Sequence, residues 1–131
     1  MKKKIAIIGG AGFIGHNLGI FLKNRGADVF LIDSLSVNNL NSVLDNKDNL
    51  PNPELSQSFL NERLRLIKEN KIKISIQDAR DYHAISRLYD SIDPDIIIHL
   101  AAVSHANQSN KDPHSTFDHS LRTLENTLDF A

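Results

Sequence analysis

The sequence predicts an α/β fold, a partial doubly wound parallel sheet of about four strands with flanking helices. Three observations carry that prediction. Short apolar runs recur at 5–8, 29–33, 72–76 and 95–102, and segments with helical periodicity separate them. A glycine cluster joins the first run to the first helical segment. Strands that alternate with helices read as βαβ units, whose parallel sheet takes its ligand outside the carboxyl ends of the strands.

The first strand, IAII at 5–8, runs into GGAGFIG at 9–15. The glycines fit G-x-G-x-x-G on Gly10, Gly12 and Gly15, or G-x-x-G-x-x-G on Gly9, Gly12 and Gly15. In either register the turn needs backbone angles that glycine adopts cheaply. A position without a side chain lets the backbone approach a pyrophosphate, and Gly15 lets the next helix lie close to the strand. The phosphates then sit on the helix N-terminus, where unpaired N–H groups and the positive dipole end face them. Glycines also occur in ordinary strand-to-helix turns. Here they follow an apolar strand and open a helix over 12–24, which selects the dinucleotide-binding (Rossmann) reading.

Arg25-Gly26 ends that helix with a C-cap glycine, and VFLID at 29–33 is the second strand. Asp33 closes it 18 residues after Gly15, near the roughly 20-residue spacing of a ribose-binding acid. A carboxylate there accepts hydrogen bonds from the adenosine 2′- and 3′-hydroxyls and repels a 2′-phosphate. Ser34, Leu35 and Ser36 bring no arginine to neutralise such a phosphate, so the local reading favours NAD over NADP.

Residues 34–53 are polar and rich in Asn and Ser, a loop with a turn of helix at 38–44. Leu55, Phe59, Leu60, Leu64 and Ile67 form an apolar stripe that predicts a helix over 54–70. IKISI at 72–76 alternates as a third strand. Ile85, Leu88 and Ile92 place a helix over 81–92, stopped by Asp93-Pro94. DIIIHLAA at 95–102 is the fourth strand, apolar enough to be buried on both faces. A last helix runs from about 113 to the end, with Pro113 in its first turn. Asp78, just past strand three, is placed to accept from an adenine amino group. Ala101 and Ala102 end strand four, where small residues let a flat ligand lie against the backbone.

One domain over 1–131 is the natural count for this length. A net charge of −1 and dispersed charges give no basic patch for nucleic acid or an anionic membrane. The absence of cysteine removes disulfide and thiolate-metal chemistry and fits a cytoplasmic setting. MKKK before an apolar run imitates a signal peptide, but Gly9, Gly10 and Gly12 break the run. No stretch reaches the ~18 apolar residues of a membrane span, so the Asn107-Gln-Ser109 sequon reads as coincidental. His99, His105, His114 and His119 lack the i, i+4 spacing of a helical zinc pair, so no metal site is assigned. His99 is expected to be a hydrogen-bonded core histidine. Ser104 and His105, adjacent on extended backbone, point to opposite faces and do not make a dyad.

The chain resembles the extended short-chain dehydrogenases/reductases, specifically the NAD-dependent epimerase/dehydratase family acting on nucleotide sugars. The resemblance rests on GGAGFIG at 9–15, Asp33, QDARD at 77–81, HLAA at 99–102, and Ser104, His105, Ser109 and Pro113. It implies that Gly9, Gly12, Phe13, Ile14 and Gly15 form the pyrophosphate turn. It further implies that Asp33 binds the adenine ribose, Asp78 and Ala79 the adenine, and Leu100, Ala101 and Ala102 the path toward the nicotinamide. The long segment 34–71 is also similar to the epimerase side of the family.

The departures are as informative. The family's acid/base pair is Tyr-x-x-x-Lys, yet Ser86 stands four beyond Tyr82 and Asp93 four beyond Tyr89. Both tyrosines precede the fourth strand, whereas the family's follows the fifth. His119 and Ser120 stand near the position of the family's helix asparagine. No catalytic residue is therefore assigned. The resemblance implies the N-terminal, NAD-binding part of a longer enzyme whose substrate domain would contact the nucleotide sugar. The alternatives are a stand-alone, non-catalytic dinucleotide-binding module or half of a two-chain assembly. The helix from 113 resembles one that the family uses in dimers. With Phe117, Leu121, Leu124 and Leu128 at helical spacing, and an apolar fourth strand open on one edge, it predicts a homo-oligomer. Part of that stripe is expected to cover the chain's own sheet.

Overall fold

A computed structural model describes residues 1–37, 43, 51–103 and 110–131. Strand β1 (Lys4–Ile8) leads into helix α1 (Phe13–Asn24), β2 (Asp28–Asp33), α2 (Pro53–Glu69) and β3 (Lys73–Ile76). Helix α3 (Tyr82–Ile92), β4 (Ile96–His99), α4 (Pro113–Phe117), a π-helical turn (Asp118–Arg122) and α5 (Thr123–Phe130) complete the described elements. The four strands form one parallel sheet in the order β3-β2-β1-β4. Chain order reverses between β1 and β4, so the crevice of a doubly wound sheet opens at their carboxyl ends.

Strand alternation sorts the core into two layers. On one face Ile5 and Ile7 join Val29, Leu31, Ile67 and Ile72, with Leu18 and Leu22 of α1 packed against them. On the other, Ala6 and Ile8 join Ile32, Ile85, Tyr89 and Ile92. In-register pairing, Ile5↔Val29 and Ile7↔Leu31, keeps each apolar set on its own side. The helix boundaries follow local chemistry. Asn52 accepts from the Leu55 N–H ahead of Pro53, and Asp81 accepts from the Ala84 N–H.

Two strand expectations change. The fourth strand spans Ile96–His99 rather than 95–102, so Leu100, Ala101 and Ala102 lie beyond its end. It is half-buried rather than buried on both faces, with Ile96 44% exposed. The reason is position: among the described residues β4 pairs only with β1, and its outer edge carries no strand. The third strand likewise begins at Lys73, with Ile72 buried just before it and Ile76 exposed at its end. The helical turn expected at 38–44 lies, apart from residue 43, outside the described residues.

On the last helix, the part of the apolar stripe expected to cover the sheet does not do so. Phe117, Leu121, Leu124 and Leu128 do not cover the sheet; Phe117 is 63% and Leu128 65% exposed. The buried side carries Thr123, Asn126 and Thr127 instead, with Phe130 stacked on Tyr89 at 4.6 Å. These polar groups are satisfied. The Asn126 amide donates to the Ala79 carbonyl at 2.8 Å, and the Thr127 hydroxyl donates to the Thr123 carbonyl at 2.8 Å. Hydrogen bonding, not apolar area, fixes which side of this helix faces inward.

Candidate functional site

The glycine turn sits at the carboxyl end of β1, in the crevice between β1 and β4. Its entry is held by β2: the Gly9 and Gly10 N–H groups both donate to the Ile32 carbonyl, at 2.9 and 3.1 Å. Gly9 has φ 76°, the left-handed region, and a Cβ there would meet the Leu100–Ala101 backbone at 3.0 Å. At Gly15 a Cβ would fall 2.4 Å from the Gly9 carbonyl oxygen, so helix and turn touch backbone to backbone. Gly12 is the N-cap of α1 and faces open space apart from the Gly9 carbonyl. No side chain caps this helix and no acid occupies its first turn. The N–H groups of Phe13, Ile14 and Gly15 consequently have no partner within the helix, the geometry of an anion-binding terminus. The Phe13 and Ile14 side chains are exposed beside it. Buried His16, one turn on, donates from Nδ1 to the Gly12 carbonyl at 2.8 Å and steadies the turn.

Asp33 ends β2 next to the turn. Its Oδ2 accepts from the Ala11 N–H at 2.9 Å and its Oδ1 from the Leu35 N–H at 2.8 Å. Leu35 is held at φ 55°, a strained position for a branched side chain. Each carboxylate oxygen keeps a further lone pair for an incoming hydroxyl. Arg63 is a residue that sequence reading misses here. It reaches from α2 and donates from Nη1 to the Ala11 carbonyl at 2.8 Å. Burial lowers its pKa, against the raising influence of the Asp33 charge. Its one signal in the sequence is a charge at helical spacing from Leu60 and Ile67, on the side of α2 that faces inward.

The loop after β3 carries the next group of candidate residues. Asp78 accepts from the Arg80 guanidinium at 2.6 Å, and Arg80 reaches on to Asp118 at 3.0 Å and to His119 Nε2 at 3.1 Å. The hydrogen bonds from Arg80 hold the Asp78 carboxyl below its usual range. Ala79 is buried, and its carbonyl is taken by Asn126. Leu100 donates its N–H to the Ile8 carbonyl at 2.9 Å; Ala101 is half-buried and Ala102 exposed. Ser120 accepts from the Val103 N–H at 3.1 Å, tying the segment after β4 to the last helix. The structure thus brings the glycine turn, Asp33 and Leu100–Ala101 to one end of the sheet, with Asp78 at the end of β3.

His99 is hydrogen-bonded, as the sequence predicts, but half-buried rather than in the core: Nδ1 lies 3.1 Å and Nε2 3.4 Å from the Thr127 and Thr123 hydroxyls. Both tyrosine hydroxyls have partners within the chain. Tyr89 is fully buried and burial raises its pKa; Tyr82 donates to Asp129 at 2.7 Å, which raises its own. Ser104, His105 and Ser109 lie outside the described residues. Among the described residues, no three metal-ligating side chains come together, and no helix is long and apolar enough to cross a membrane.

Residues 5–131 match the NAD dependent epimerase/dehydratase family, and the chain belongs to that family. It is 29% identical over 117 residues to UDP-glucose 4-epimerase of Mycoplasma genitalium, covering 89% of this chain and 28% of that protein. It is 29% identical over 132 residues to dTDP-D-glucose 4,6-dehydratase of Dictyostelium discoideum, covering 96% of this chain and 24% of that one. The Thermus thermophilus UDP-glucose 4-epimerase, solved in complex with NAD, shares the fold. It superposes with a TM-score of 0.71 at 24% identity over 97% of this chain and 33% of its own. The chain therefore spans between about a quarter and a third of the length of these relatives.

The surroundings of His99 make a pH prediction. Burial holds its pKa below the ordinary value of 6.5, outweighing a hydrogen bond to the Ala101 backbone. Below that value the unfolded chain binds the proton more readily than the folded one. The stabilisation is complete above pH 6.5 and is lost as pH falls toward the folded-state pKa. Thermal unfolding at about pH 7.5 and about pH 5 should show a smaller loss of stability for His99→Gln than for the wild type. Equal losses in the two proteins would contradict this assignment.

Proposed function

We propose that this chain is the NAD-binding portion of a nucleotide-sugar epimerase or dehydratase. The observation that carries the reading is the uncapped N-terminus of α1, opened by Gly12 into the crevice and standing beside the doubly anchored Asp33. The cradle fits a dinucleotide. Any side chain at Gly15 would fill the turn, and the first amides of α1 face an anion without competition from a capping acid. In this reading the Phe13, Ile14 and Gly15 N–H groups hold the pyrophosphate, and Gly9 and Gly12, whose own N–H groups are spent on the Ile32 and Gly9 carbonyls, shape the turn and leave room for it. Asp33 orients the ribose by accepting from its hydroxyls, and Asp78 with Ala79 borders the adenine. Leu100, Ala101 and Ala102 line the path toward the nicotinamide and exclude water from it. NAD, when bound, supplies hydride acceptance from a sugar carbon and its later return. The nucleotide sugar would be met by residues beyond these, and a cytoplasmic setting belongs to the same proposal.

The cofactor reading is tested by calorimetry of the 131-residue chain with NAD and NADP. NAD should bind weakly and more tightly than NADP. Asp33→Asn should weaken NAD by roughly ten- to a hundredfold, the worth of charge-assisted hydrogen bonds of about 1.5–3 kcal/mol, and should shrink the preference. Tighter binding of NADP than of NAD by the wild type would overturn the role of Asp33.

The same chain should show no epimerase, dehydratase or dehydrogenase turnover on nucleotide sugars, because no Tyr-x-x-x-Lys pair is present to move the proton of a substrate hydroxyl. Turnover abolished by Tyr82→Phe or Tyr89→Phe would refute this. The exposed stripe Phe117, Leu121, Leu124 and Leu128, together with the open edge of β4, predicts self-association. Sedimentation should show a species larger than the monomer that Leu121→Glu weakens. A monomer at high concentration, indifferent to Leu121→Glu, would count against it.

A further inference from the structure

Arg63 lies 52 residues from Ala11 in sequence but one hydrogen bond away in space. It projects from α2 at helical spacing from Leu60 and Ile67, both buried. Ala11 is held at both of its backbone polar groups, its carbonyl by Arg63 and its N–H by Asp33. The guanidinium and the ribose-side carboxylate are therefore separated by a single residue that both of them grip. A guanidinium carries five N–H donors in a planar fork. Among the described residues Arg63 has one acceptor, the Ala11 carbonyl, and its Nε is buried with none. With Nε enclosed and one Nη1 hydrogen on Ala11, the remaining Nη donors of this half-buried cation are the ones that suit phosphate oxygens.

We propose that Arg63 is a specificity-determining residue at the adenosine end of the dinucleotide site, where its guanidinium receives a ribose 2′-phosphate that Asp33 alone would repel. This rests on the reading that the glycine turn and Asp33 hold the dinucleotide. The two charges make the ribose end ambivalent. Asp33 accepts from free hydroxyls and keeps NAD preferred, while Arg63 offsets much of the repulsion toward the 2′-phosphate. The three residues after Asp33, which carry no arginine, understate the tolerance of the site. The neutralising cation arrives from another helix.

Calorimetry with NAD, NADP, AMP and adenosine 2′,5′-bisphosphate separates the ribose end from the nicotinamide. In the wild-type 131-residue chain the preference for NAD over NADP should be modest, below about tenfold, because opposite charges nearly balance at that position. Arg63→Ala should weaken NADP and the bisphosphate by about tenfold or more, the scale of a lost charge-assisted contact, while NAD and AMP change by no more than about threefold. Arg63→Lys should recover part of the 2′-phosphate binding, because it keeps the charge and loses the fork. Retained NAD binding shows that each variant is folded, and Arg63→Gln serves if the alanine variant is not. An unchanged NAD:NADP ratio in Arg63→Ala, with NAD still bound, overturns this inference and leaves the cofactor reading standing. A wild-type chain that binds neither dinucleotide overturns both.

Discussion

The contact between Gly15 and the Gly9 carbonyl governs the geometry of everything around the crevice. A Cβ at Gly15 would lie 2.4 Å from that oxygen, so a larger residue would have to push α1 away from the end of β1. With glycine there, the helix starts directly over the carboxyl end of the sheet and its free amides point into the crevice. The same turn is pinned from two other directions. The Ile32 carbonyl takes two of its amides, and the Leu100–Ala101 backbone packs against Gly9. The ends of β1, β2 and β4 are thus positioned relative to one another by one backbone cluster that holds almost no side-chain volume. Asp33 inherits its place from this cluster, since it follows Ile32 and grips Ala11.

The link between the β3 loop and the last helix is arranged by charge and polar hydrogen bonds. Asp78, Arg80, Asp118 and Arg122 form a chain of ion pairs from the β3 loop to the π-helical turn. Each member is at least a quarter exposed, so solvent screening makes the pairs modest contributors to stability. Their consequence is orientation. Together with Asn126 on the Ala79 and Arg80 carbonyls, they fix the rotation of the last helix about its axis. That rotation turns Thr123 and Thr127 toward His99 and leaves the leucines outside. Buried polar groups that are fully partnered can specify one packing among several of similar apolar content.

How far the sequence can be read follows from this division. The segment from β1 to Asp33 is legible because each of its signals is local: an apolar run, glycines at fixed offsets, a C-cap glycine, an acid at a strand end. The last helix is legible only in part: its stripe Phe117, Leu121, Leu124 and Leu128 is expected to cover the sheet with some of its residues, while the buried side holds Thr123, Asn126 and Thr127. The polar partners, His99 and the Ala79 carbonyl, are 24 and 47 residues away in sequence. The fourth strand reads as too long and too buried because the run DIIIHLAA carries no information about which strand lacks a neighbour. Arg63 carries only a faint signal, its helical spacing from Leu60 and Ile67. It sits on a helix after a long polar connection, and only the path of the chain brings it to Ala11.

The two tyrosines have environments that favour the protonated phenol. A tyrosine that accepts a substrate proton near neutral pH needs its phenolate favoured, by a neighbouring cation or by donors to the oxygen. Here both environments act the other way. Burial against Phe130 and the core raises the pKa of Tyr89, and the Asp129 carboxylate raises that of Tyr82. Each hydroxyl is engaged, one beside Thr127 and one on Asp129. The described groups near the crevice are of a different kind: backbone amides, an anchored carboxylate and a guanidinium, all suited to holding phosphate and ribose oxygens in place. Neither tyrosine shares that character, since each hydroxyl is partnered and each environment favours the protonated phenol.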